Sequence, residues 1–242
     1  MASVREQSHK DWLNTKAIIF GPPGSGKGTY ASRLHDELGV DVIATGDILR
    51  EIMKENTPLG KKVKDFVEKG MLVPDDLVIE ALKRHLANIS AKKGFILDGF
   101  PRTVEQARAL DGITKIDTII QLTVPDWIIV ERLSTRRICK KCGEVYNIRY
   151  LKPKVDDVCD KCGGELYQRS DDTAEVIKSR ILVYEQQTQP ILEHYKKKTV
   201  PSIEFKCERL DMPPEAAVQE IMNGLRDLKL IDLDRNAVST AP

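Results

Sequence analysis

A short apolar segment followed by a glycine-rich loop constrains the fold of this chain more than any other feature. Residues 17–20, AIIF, have the character of a buried parallel strand, and GPPGSGKGT at residues 21–29 follows at once. The spacing Gly-x4-Gly-Lys between a strand and a helix is typical of a phosphate-binding loop. Glycines let backbone N–H groups converge on phosphate oxygens, and the helix N-terminus adds partial positive charge. The loop predicts an α/β fold that binds a phosphorylated ligand.

The charged and hydroxyl side chains around this loop depart from the usual order at one position. Lys27 supplies a full positive charge toward the phosphates, but the next residue is Gly28, and the hydroxyl follows only at Thr29. The usual Ser/Thr ligand for Mg²⁺ is therefore displaced by one residue. Asp98, at the end of FILD, is a candidate acidic element that contacts the metal or orients its water. The alternative interpretation is that Asp98 starts a turn before Gly99.

Strand and helix patterns alternate along the chain. Further strands are predicted at 40–43, 95–97, 116–124 and 203–207, and helices at 28–38, 75–90, 126–137 and 172–197, the last with a break near Pro190. This alternation predicts a parallel sheet covered by helices on both faces. Residues 45–73 and 136–172 interrupt it. We expect both to be insertions at the carboxyl edge of the sheet, where α/β folds bind ligands.

Four cysteines in the second insertion form a metal-type pattern. Two Cys-x2-Cys pairs are separated by sixteen residues, which is a spacing typical of tetrahedral zinc. Four thiolates leave no open coordination position, so we predict a structural Zn²⁺ that stabilises a segment too small to bury its own core. Disulfides or free thiols, and a nucleic-acid-binding ribbon, remain alternatives. The predicted ligands are Cys139, Cys142, Cys159 and Cys162.

Composition excludes several classes of function. The chain has 242 residues, 31% of them charged, with a formal net charge of +1. A general electrostatic attraction to nucleic acid or to an anionic membrane is therefore not expected. The sequence contains no apolar run of about 18 residues and no apolar signal-peptide core near its start. We expect a cytoplasmic protein that binds neither membranes nor nucleic acid.

Three strings together identify a family. GPPGSGKGT, ATGDILR (44–50) and LDGFPRT (97–103) occur in the order and spacing of the adenylate kinases, and the chain resembles that family over about residues 16–225. The cysteine-bearing insertion is similar to the family's long lid. The resemblance implies a P-loop NTPase-like three-layer α/β fold with a five-stranded parallel sheet and two inserted flaps. It also implies a monomer that converts Mg·ATP and AMP reversibly into two ADP.

The resemblance further divides the chain into segments. Residues 1–16 are an N-terminal extension, residues 44–73 the NMP-binding flap, and residues 135–172 the lid. The remaining segments form the core: residues 17–43, 74–134 and 173–242.

The same resemblance implies roles for individual residues on the donor side. The loop would cradle the ATP phosphates through Gly24, Ser25, Gly26, Lys27, Gly28 and Thr29. Arg132 would stack on the donor base, and Arg136 would reach the phosphates. Val145 and Tyr146 would contact the nucleotide from the lid. No role is carried over to residues 210–214, which do not match the family pattern clearly.

On the acceptor side, Thr45 corresponds to an adenine-side hydroxyl and Arg50 to the arginine that grips the AMP phosphate. Gln106 would hydrogen-bond the adenine edge, because an amide offers both a donor and an acceptor. Arg169 and Arg180 would close over the transferred phosphoryl group, and Asp171 and Asp172 match an acidic hinge pair. The remaining predicted AMP contacts are Met71, Leu72, Val73, Gly99, Phe100, Pro101 and Arg102. The predicted catalytic set is Lys27, Asp98, Arg102, Arg136, Arg169 and Arg180.

Other functions on the same scaffold are weighed against this one. A GTP:AMP phosphotransferase differs only in contacts to the donor base, which the sequence does not fix. A UMP/CMP kinase is disfavoured, because those relatives usually have a short lid. A non-catalytic, ATP-binding zinc-ribbon scaffold is the alternative from another class. Arg102, Arg169 and Arg180 argue against it, because a binder has no use for arginines that close over a phosphoryl group.

Overall fold

The computed structural model describes residues 14–88 and 94–231, and its centre is a five-stranded sheet. Strands β1 to β8 are Lys16–Phe20, Asp41–Ala44, Phe95–Asp98, Thr118–Thr123, Arg136–Cys139, Val145–Asn147, Leu166–Tyr167 and Ser202–Lys206. The central order is β2-β3-β1-β4-β8, and every pairing in it is parallel. The predicted parallel sheet is confirmed, including the short strand expected at residues 40–43.

Helices cover both faces of this sheet. Helices α1 to α9 are Lys27–Leu38, Thr45–Lys54, Pro58–Glu68, Asp75–Asn88, Val104–Asp111, Asp126–Ser134, Ala174–Val183, Ile191–Lys197 and Pro214–Asp227. Alternate residues of β1 face opposite layers, as in any strand. Ala17 and Ile19 pack in a buried cluster with α1, α6, α7 and α9. Ile18 and Phe20 pack in a second cluster with α4, α5 and α8. The three-layer α/β fold is thereby confirmed.

Two insertions stand outside the layers. Helices α2 and α3 follow β2, within the insertion predicted at residues 45–73. The second insertion contains a small antiparallel sheet of order β6-β5-β7. The helix predicted at 126–137 is wrong at its end, since α6 ends at Ser134 and β5 begins at Arg136. Pairing of Arg136 with Asn147 and burial of Ile138 provide tertiary contacts that override the local helical pattern.

The long helical pattern at 172–197 divides as expected near Pro190. Thr173 caps α7 by accepting a hydrogen bond from Val176 N at 3.4 Å, and a π-helical turn at Tyr184–Thr188 separates α7 from α8. The end of the helix predicted at 75–90, most of the N-terminal extension, and the tail after residue 231 lie outside the described residues. Across the described ranges, no helix combines the length and apolar character that a membrane span requires.

Candidate active site

The glycine-rich loop leaves β1 and leads into α1, as its sequence predicts. Gly24 and Gly26 have φ angles of 74° and 102°, in the left-handed region that disfavours side chains. A Cβ at Gly26 would lie 2.8 Å from Tyr30 Cζ, and one at Gly24 would lie 2.8 Å from Leu133 Cγ. Both conformation and close packing therefore require glycine here. The loop is held in its curved shape directly before the positive end of α1.

Lys27 is the first residue of α1, and its ammonium group bends back over the loop. Its Nζ donates hydrogen bonds to the carbonyl oxygens of Gly21 at 2.7 Å and Pro22 at 2.8 Å. Desolvation lowers the pKa of Lys27 to about 7, the nearby Asp98 carboxylate opposes this, and Arg102 adds to it. The charge of Lys27 therefore lacks a full counter-charge at this position, and binding of an anion would favour its protonated form.

Asp98 ends β3, beside the loop. Its Oδ2 lies 3.4 Å from the position a Cβ would take at Gly28, so a larger residue after Lys27 would press on the carboxylate. Burial raises the pKa of Asp98, while the charge of Lys27 lowers it. A carboxylate here, together with the hydroxyl of Thr29 on the same cleft, is the hard oxygen donor set that a hydrated Mg²⁺ prefers. The residues therefore fit magnesium.

The segment after β3 is held from both sides. Gly99 has a φ of 77°, and a Cβ there would lie 2.9 Å from Arg102 Nη2. Arg102 Nε donates to Gly99 O at 2.9 Å, and Thr188 Oγ1 donates to Arg102 O at 2.9 Å. Thr45, the first residue of α2, donates through Oγ1 to Asp98 O at 2.9 Å. Hydrogen bonds to main-chain carbonyls thus join this segment to α2 and to the π-helical turn.

Two aspartates orient two of the predicted arginines. The Asp172 side chain has no exposed surface, and it accepts hydrogen bonds from Arg136 Nε at 2.8 Å and Nη2 at 2.6 Å. Asp172 Oδ1, which accepts the bond from Arg136 Nη2, also accepts one from Arg180 Nη1 at 3.3 Å. Arg180 Nη1 donates a further bond to Asp171 Oδ2 at 2.9 Å. One buried carboxylate therefore links an arginine of β5 with an arginine of α7. Both arginines line the same cleft.

The remaining arginines make this region strongly cationic. Arg169 Nε is buried, and in residues 14–88 and 94–231 no hydrogen-bond partner for it is found. Desolvation, followed by the charges of Arg136 and Arg50, lowers the pKa of Arg169 to about 9. Desolvation deep in the cleft lowers the pKa of both Arg102 and Arg180; repulsion from Arg180 adds to it at Arg102, and repulsion from Arg136 adds to it at Arg180. A multiply charged anion such as a polyphosphate would relieve this repulsion.

These groups line one continuous cleft of about 1400 Å³ between the edge of the sheet and the two insertions at residues 45–73 and 136–172. It brings together most of the residues predicted from sequence. They are Gly24, Gly26, Lys27, Gly28, Thr29, Arg50, Met71, Leu72, Asp98, Gly99, Phe100, Pro101, Arg102, Arg132, Arg136, Val145, Tyr146, Arg169 and Arg180. Ser25, Thr45, Val73 and Gln106 lie behind its wall, each at most 5% exposed. The roles given to all these residues remain predictions.

Several neighbours of these residues were missed by sequence analysis. Asp47 forms an ion pair with Arg50, and its position three residues earlier on a helix was a usable signal. Cys207 Sγ accepts a hydrogen bond from Arg132 Nη2 at 3.0 Å. Residues 210–214 line the same cleft as Arg132. Contacts between Arg132 and segments so distant along the chain leave no local pattern, so only the fold reveals them.

The four paired cysteines converge in the lid. Their sulfur atoms all lie within 4.8 Å of one another, with Cys139 Sγ 3.4 Å from Cys162 Sγ and Cys142 Sγ 3.6 Å from Cys159 Sγ. A disulfide needs about 2.05 Å between sulfurs. Four sulfurs around one zinc ion, each bonded at about 2.3 Å, stand about 3.8 Å apart. The cluster therefore fits a tetrahedral metal ion and could bind zinc.

The surroundings of this cysteine cluster lower the pKa of the Cys139 and Cys159 thiols, whereas burial raises that of Cys142 to about 12. Burial raises the pKa of Cys159, but hydrogen bonds from the Tyr146 hydroxyl at 3.4 Å and from backbone N–H groups outweigh it and lower the pKa to about 6. A Cβ at Gly164 would lie 2.8 Å from Cys139 Sγ, so the turn approaches the sulfurs as closely as it can. Metal binding requires the deprotonated form, and these hydrogen bonds stabilise it.

A comparison with known families agrees with this geometry. The family profile described as Adenylate kinase matches residues 19–200, about three quarters of the chain. The chain belongs to the adenylate kinase family. It is 51% identical over 188 residues to an adenylate kinase of Caldicellulosiruptor saccharolyticus and 50% identical over 188 residues to one of Archaeoglobus fulgidus, each alignment covering 76% of this chain and 87% of the relative. A Thermosipho melanesiensis adenylate kinase is 45% identical over 216 residues, 86% of this chain and 98% of that protein.

Family membership determines the class of protein. Members of the adenylate kinase family are nucleoside monophosphate kinases, which transfer a phosphoryl group between nucleotides. The predicted enzyme class is therefore confirmed. The non-catalytic scaffold is set aside, because the alignments cover nearly the whole length of relatives that are named adenylate kinases.

Proposed function

We propose that the protein transfers the terminal phosphoryl group of Mg·ATP to AMP, reversibly, giving two ADP. The observation that carries this proposal is the cationic cleft, in which Lys27 and arginines from several separate segments face one space. Phosphoryl transfer needs little covalent help from the protein, but it needs charge stabilisation and alignment of two nucleotides. Arginine suits this task because its planar group binds phosphate oxygens in pairs and stays charged.

The donor is proposed to bind along the glycine-rich loop and under the lid. Gly24–Thr29 would surround its phosphates with backbone N–H groups, and Lys27 would leave its own loop carbonyls to bind a phosphate oxygen. Arg136 and the lid residues Val145 and Tyr146 would contact the nucleotide from the opposite wall. The donor base would stack against Arg132, whose guanidinium is held by Cys207 and by Ser25 O at 3.4 Å.

The acceptor is proposed to bind between α2 and the segment that follows β3. Arg50 and Arg102 would grip the AMP phosphate, and both lie in the same cleft as Met71 and Leu72. The AMP phosphate is ionised near neutral pH, so no general base is needed to generate the nucleophile. Its oxygen attacks the donor's terminal phosphorus, the bond to the bridging oxygen breaks, and ADP leaves on each side.

Arg169 and Arg180 are proposed to stabilise charge on the transferred group. Asp171 and Asp172 hold Arg180 before any substrate binds, so little reorganisation is needed during the reaction. Mg²⁺ bound with ATP would neutralise charge between the phosphates, and Asp98 and Thr29 would hold it or its water. Closure of the NMP-binding flap (44–73) and the lid (135–172) over the core would exclude water and prevent ATP hydrolysis.

Zinc is proposed to hold the lid together. The buried cluster of this insertion consists of Cys139, Cys159, Tyr146 and Leu166, with Cys162 packed against it. Such a cluster is too small to stabilise a segment of this length without a cross-link. The ion would therefore act on the shape of the lid.

The experiment that tests this function is a two-substrate assay. ADP formation is measured from Mg·ATP with AMP, CMP or UMP as acceptor, and again with Mg·GTP as donor. We expect fast transfer from ATP to AMP and little with the pyrimidine acceptors. Faster transfer from GTP than from ATP would keep the acceptor site and reassign the protein as a GTP:AMP phosphotransferase. No transfer with any pair would refute the proposal.

A further inference from the structure

The Gln106 side-chain amide is held by two partners of opposite chemical character. Its Oε1 accepts a hydrogen bond from the Arg102 backbone N–H at 2.8 Å, and its Nε2 donates to Asp75 Oδ1 at 2.7 Å. A backbone N–H can only donate, and an ionised carboxylate can only accept. The two partners therefore determine which end of the amide is oxygen and which is nitrogen.

Asp75 is itself fixed by its surroundings. It is the first residue of α4, and its Oδ2 accepts a hydrogen bond from Thr103 Oγ1 at 2.8 Å. The same hydroxyl accepts from Gln106 N at 3.1 Å and caps α5. Gln106 is only 1% exposed, so water cannot replace a lost partner. A rotated amide would set oxygen against the Asp75 carboxylate and NH₂ against the Arg102 N–H, leaving both ends unsatisfied.

The orientation of this amide matters for recognition of a purine. After bonding to Asp75 and Arg102, the amide keeps one free N–H and one free lone pair. Adenine presents an acceptor at N1 beside a donor at N6, whereas hypoxanthine presents a donor at N1 beside an acceptor at O6. An amide can pair with either edge, but only in opposite orientations. An amide free to rotate about its terminal torsion would accept both bases.

We propose that Asp75 is a specificity-determining positioning residue, which locks the Gln106 amide in the orientation that pairs with adenine and rejects a 6-oxopurine acceptor. The inference rests on the proposed function and on the hydrogen bond to the adenine edge that the family resemblance implies for Gln106. The backbone that Gln106 binds belongs to residues 99–102, which line the cleft. The locked amide therefore lies directly behind the wall against which the acceptor base would bind.

The test compares AMP with IMP as acceptors, because the two differ only in the edge that the amide would read. For the unaltered protein with Mg·ATP, we expect kcat/KM to favour AMP by at least about 100-fold. Asp75→Asn keeps the size of the side chain but lets its amide donate as well as accept. We expect this variant to lower the ratio of kcat/KM for AMP to kcat/KM for IMP (the AMP/IMP ratio) by about tenfold. One of the two contacts that fix the Gln106 amide would then form in either orientation of the amide. Asp75→Ser tests the same point with a smaller side chain that also donates.

Thr103→Val is the matched control. It removes the other partner of Asp75 and the cap of α5, and so disturbs the same contact network, but it leaves the carboxylate beside Gln106. We expect it to lower the melting temperature with less than about a twofold change in the AMP/IMP ratio. Comparing two acceptors on one preparation cancels any loss of folded protein.

Three outcomes would overturn the inference. The first is that the unaltered protein uses IMP as efficiently as AMP. The second is that the AMP/IMP ratio is unchanged in both Asp75 variants. The third is that Thr103→Val lowers the AMP/IMP ratio as much as Asp75→Asn does. In each case AMP is still an acceptor, and the proposed function survives. Failure of the unaltered protein to phosphorylate AMP would instead refute the proposed function itself.

Discussion

The cleft and the cysteine cluster are opposite solutions to one electrostatic problem. The cleft gathers cations, and the charges of Arg102 and Arg180 contribute to the lowered pKa of Lys27. The cysteine cluster gathers four sulfur ligands within 4.8 Å. Each region concentrates like groups whose repulsion a counter-ion relieves, a polyphosphate anion in one and a metal cation in the other.

The two regions differ in what supports them. The cleft stands on a sheet packed between two large apolar clusters, so its charges are held in place by the rest of the fold. The cysteine cluster has only a few buried neighbours of its own. We therefore expect changes in the cleft to act mainly on activity and changes in the cysteine cluster to act mainly on stability.

The largest expected effect is the loss of a cleft arginine. Arg180→Met should lower kcat by about 10²–10³ or more, because it removes one preorganised charge from the transferred phosphoryl group. The thermal melting temperature should fall little, since repulsion among the arginines is relieved at the same time. Arg108→Met is the control, because this arginine is 63% exposed on α5 and pairs with Glu105, and it should keep full activity. Unfolding of Arg180→Met at room temperature would contradict the expectation that changes in the cleft act mainly on activity.

A smaller loss of activity should follow from changing the aspartate that holds two arginines. Asp172→Asn keeps the shape of the side chain but weakens its bonds to Arg136 and Arg180. Misplacing these groups by a fraction of an ångström should lower kcat by about tenfold to a hundredfold. Steady-state kinetics would measure this, with the exposed Asp36→Asn as control. Full activity in Asp172→Asn would mean that the arginines find their positions without it.

The third prediction concerns the cysteine cluster. Cys159→Ser should abolish zinc binding and lower the melting temperature, with about 2–4 °C lost for each kcal/mol of stability. A strong chelator should lower the melting temperature of the unaltered protein in the same way. Cys207→Ser, which alters the cysteine outside the cluster, should leave the zinc content unchanged. An unaltered protein that is purified without metal and is insensitive to the chelator would refute the zinc site.

The last prediction concerns a pH dependence of stability in the absence of nucleotide. The pKa of Lys27 is lowered from about 10.5 when unfolded to about 7 when folded. Burying its charge therefore destabilises the folded protein below pH 7, and this penalty fades as the pH rises from 7 to 10.5. Lys27→Met should be more stable than the unaltered protein at pH 6, with the difference shrinking toward pH 10. Chemical denaturation at both pH values measures it, and a constant difference would contradict the assigned pKa.

The fold could be predicted from sequence wherever the signal is local. The apolar strand at 17–20, the loop after it and the break near Pro190 all carry such signals, and the structure contains each of them. The exception is Arg136, predicted in a helix and found in β5, because its partner strand lies about ten residues further on. The family resemblance likewise implied which arginines would share a cleft, but it could not reveal what holds them.

The supporting contacts escaped prediction for the same physical reason. Asp75 and Gln106 are 31 residues apart, and Cys207 and Arg132 are 75 residues apart. Such pairs have no fixed spacing, since their separation depends on the lengths of the connecting elements. Motifs in the chain therefore identify the groups that contact ligands better than the groups that orient them.

The register of β1 against β3 has a geometric consequence for the proposed reaction. Ile19 pairs with Asp98, so the phosphate-binding loop and the Gly99–Arg102 segment leave the sheet from adjacent strands at the same height. Neighbouring strands are about 4.8 Å apart, a spacing set by main-chain hydrogen bonds. In the proposed reaction, the distance between the donor and acceptor sites would therefore be set by main-chain pairing of β1 and β3. Under the proposed function, substitutions in either flap would change the rate of flap opening. They would leave the distance over which the phosphoryl group is transferred unchanged.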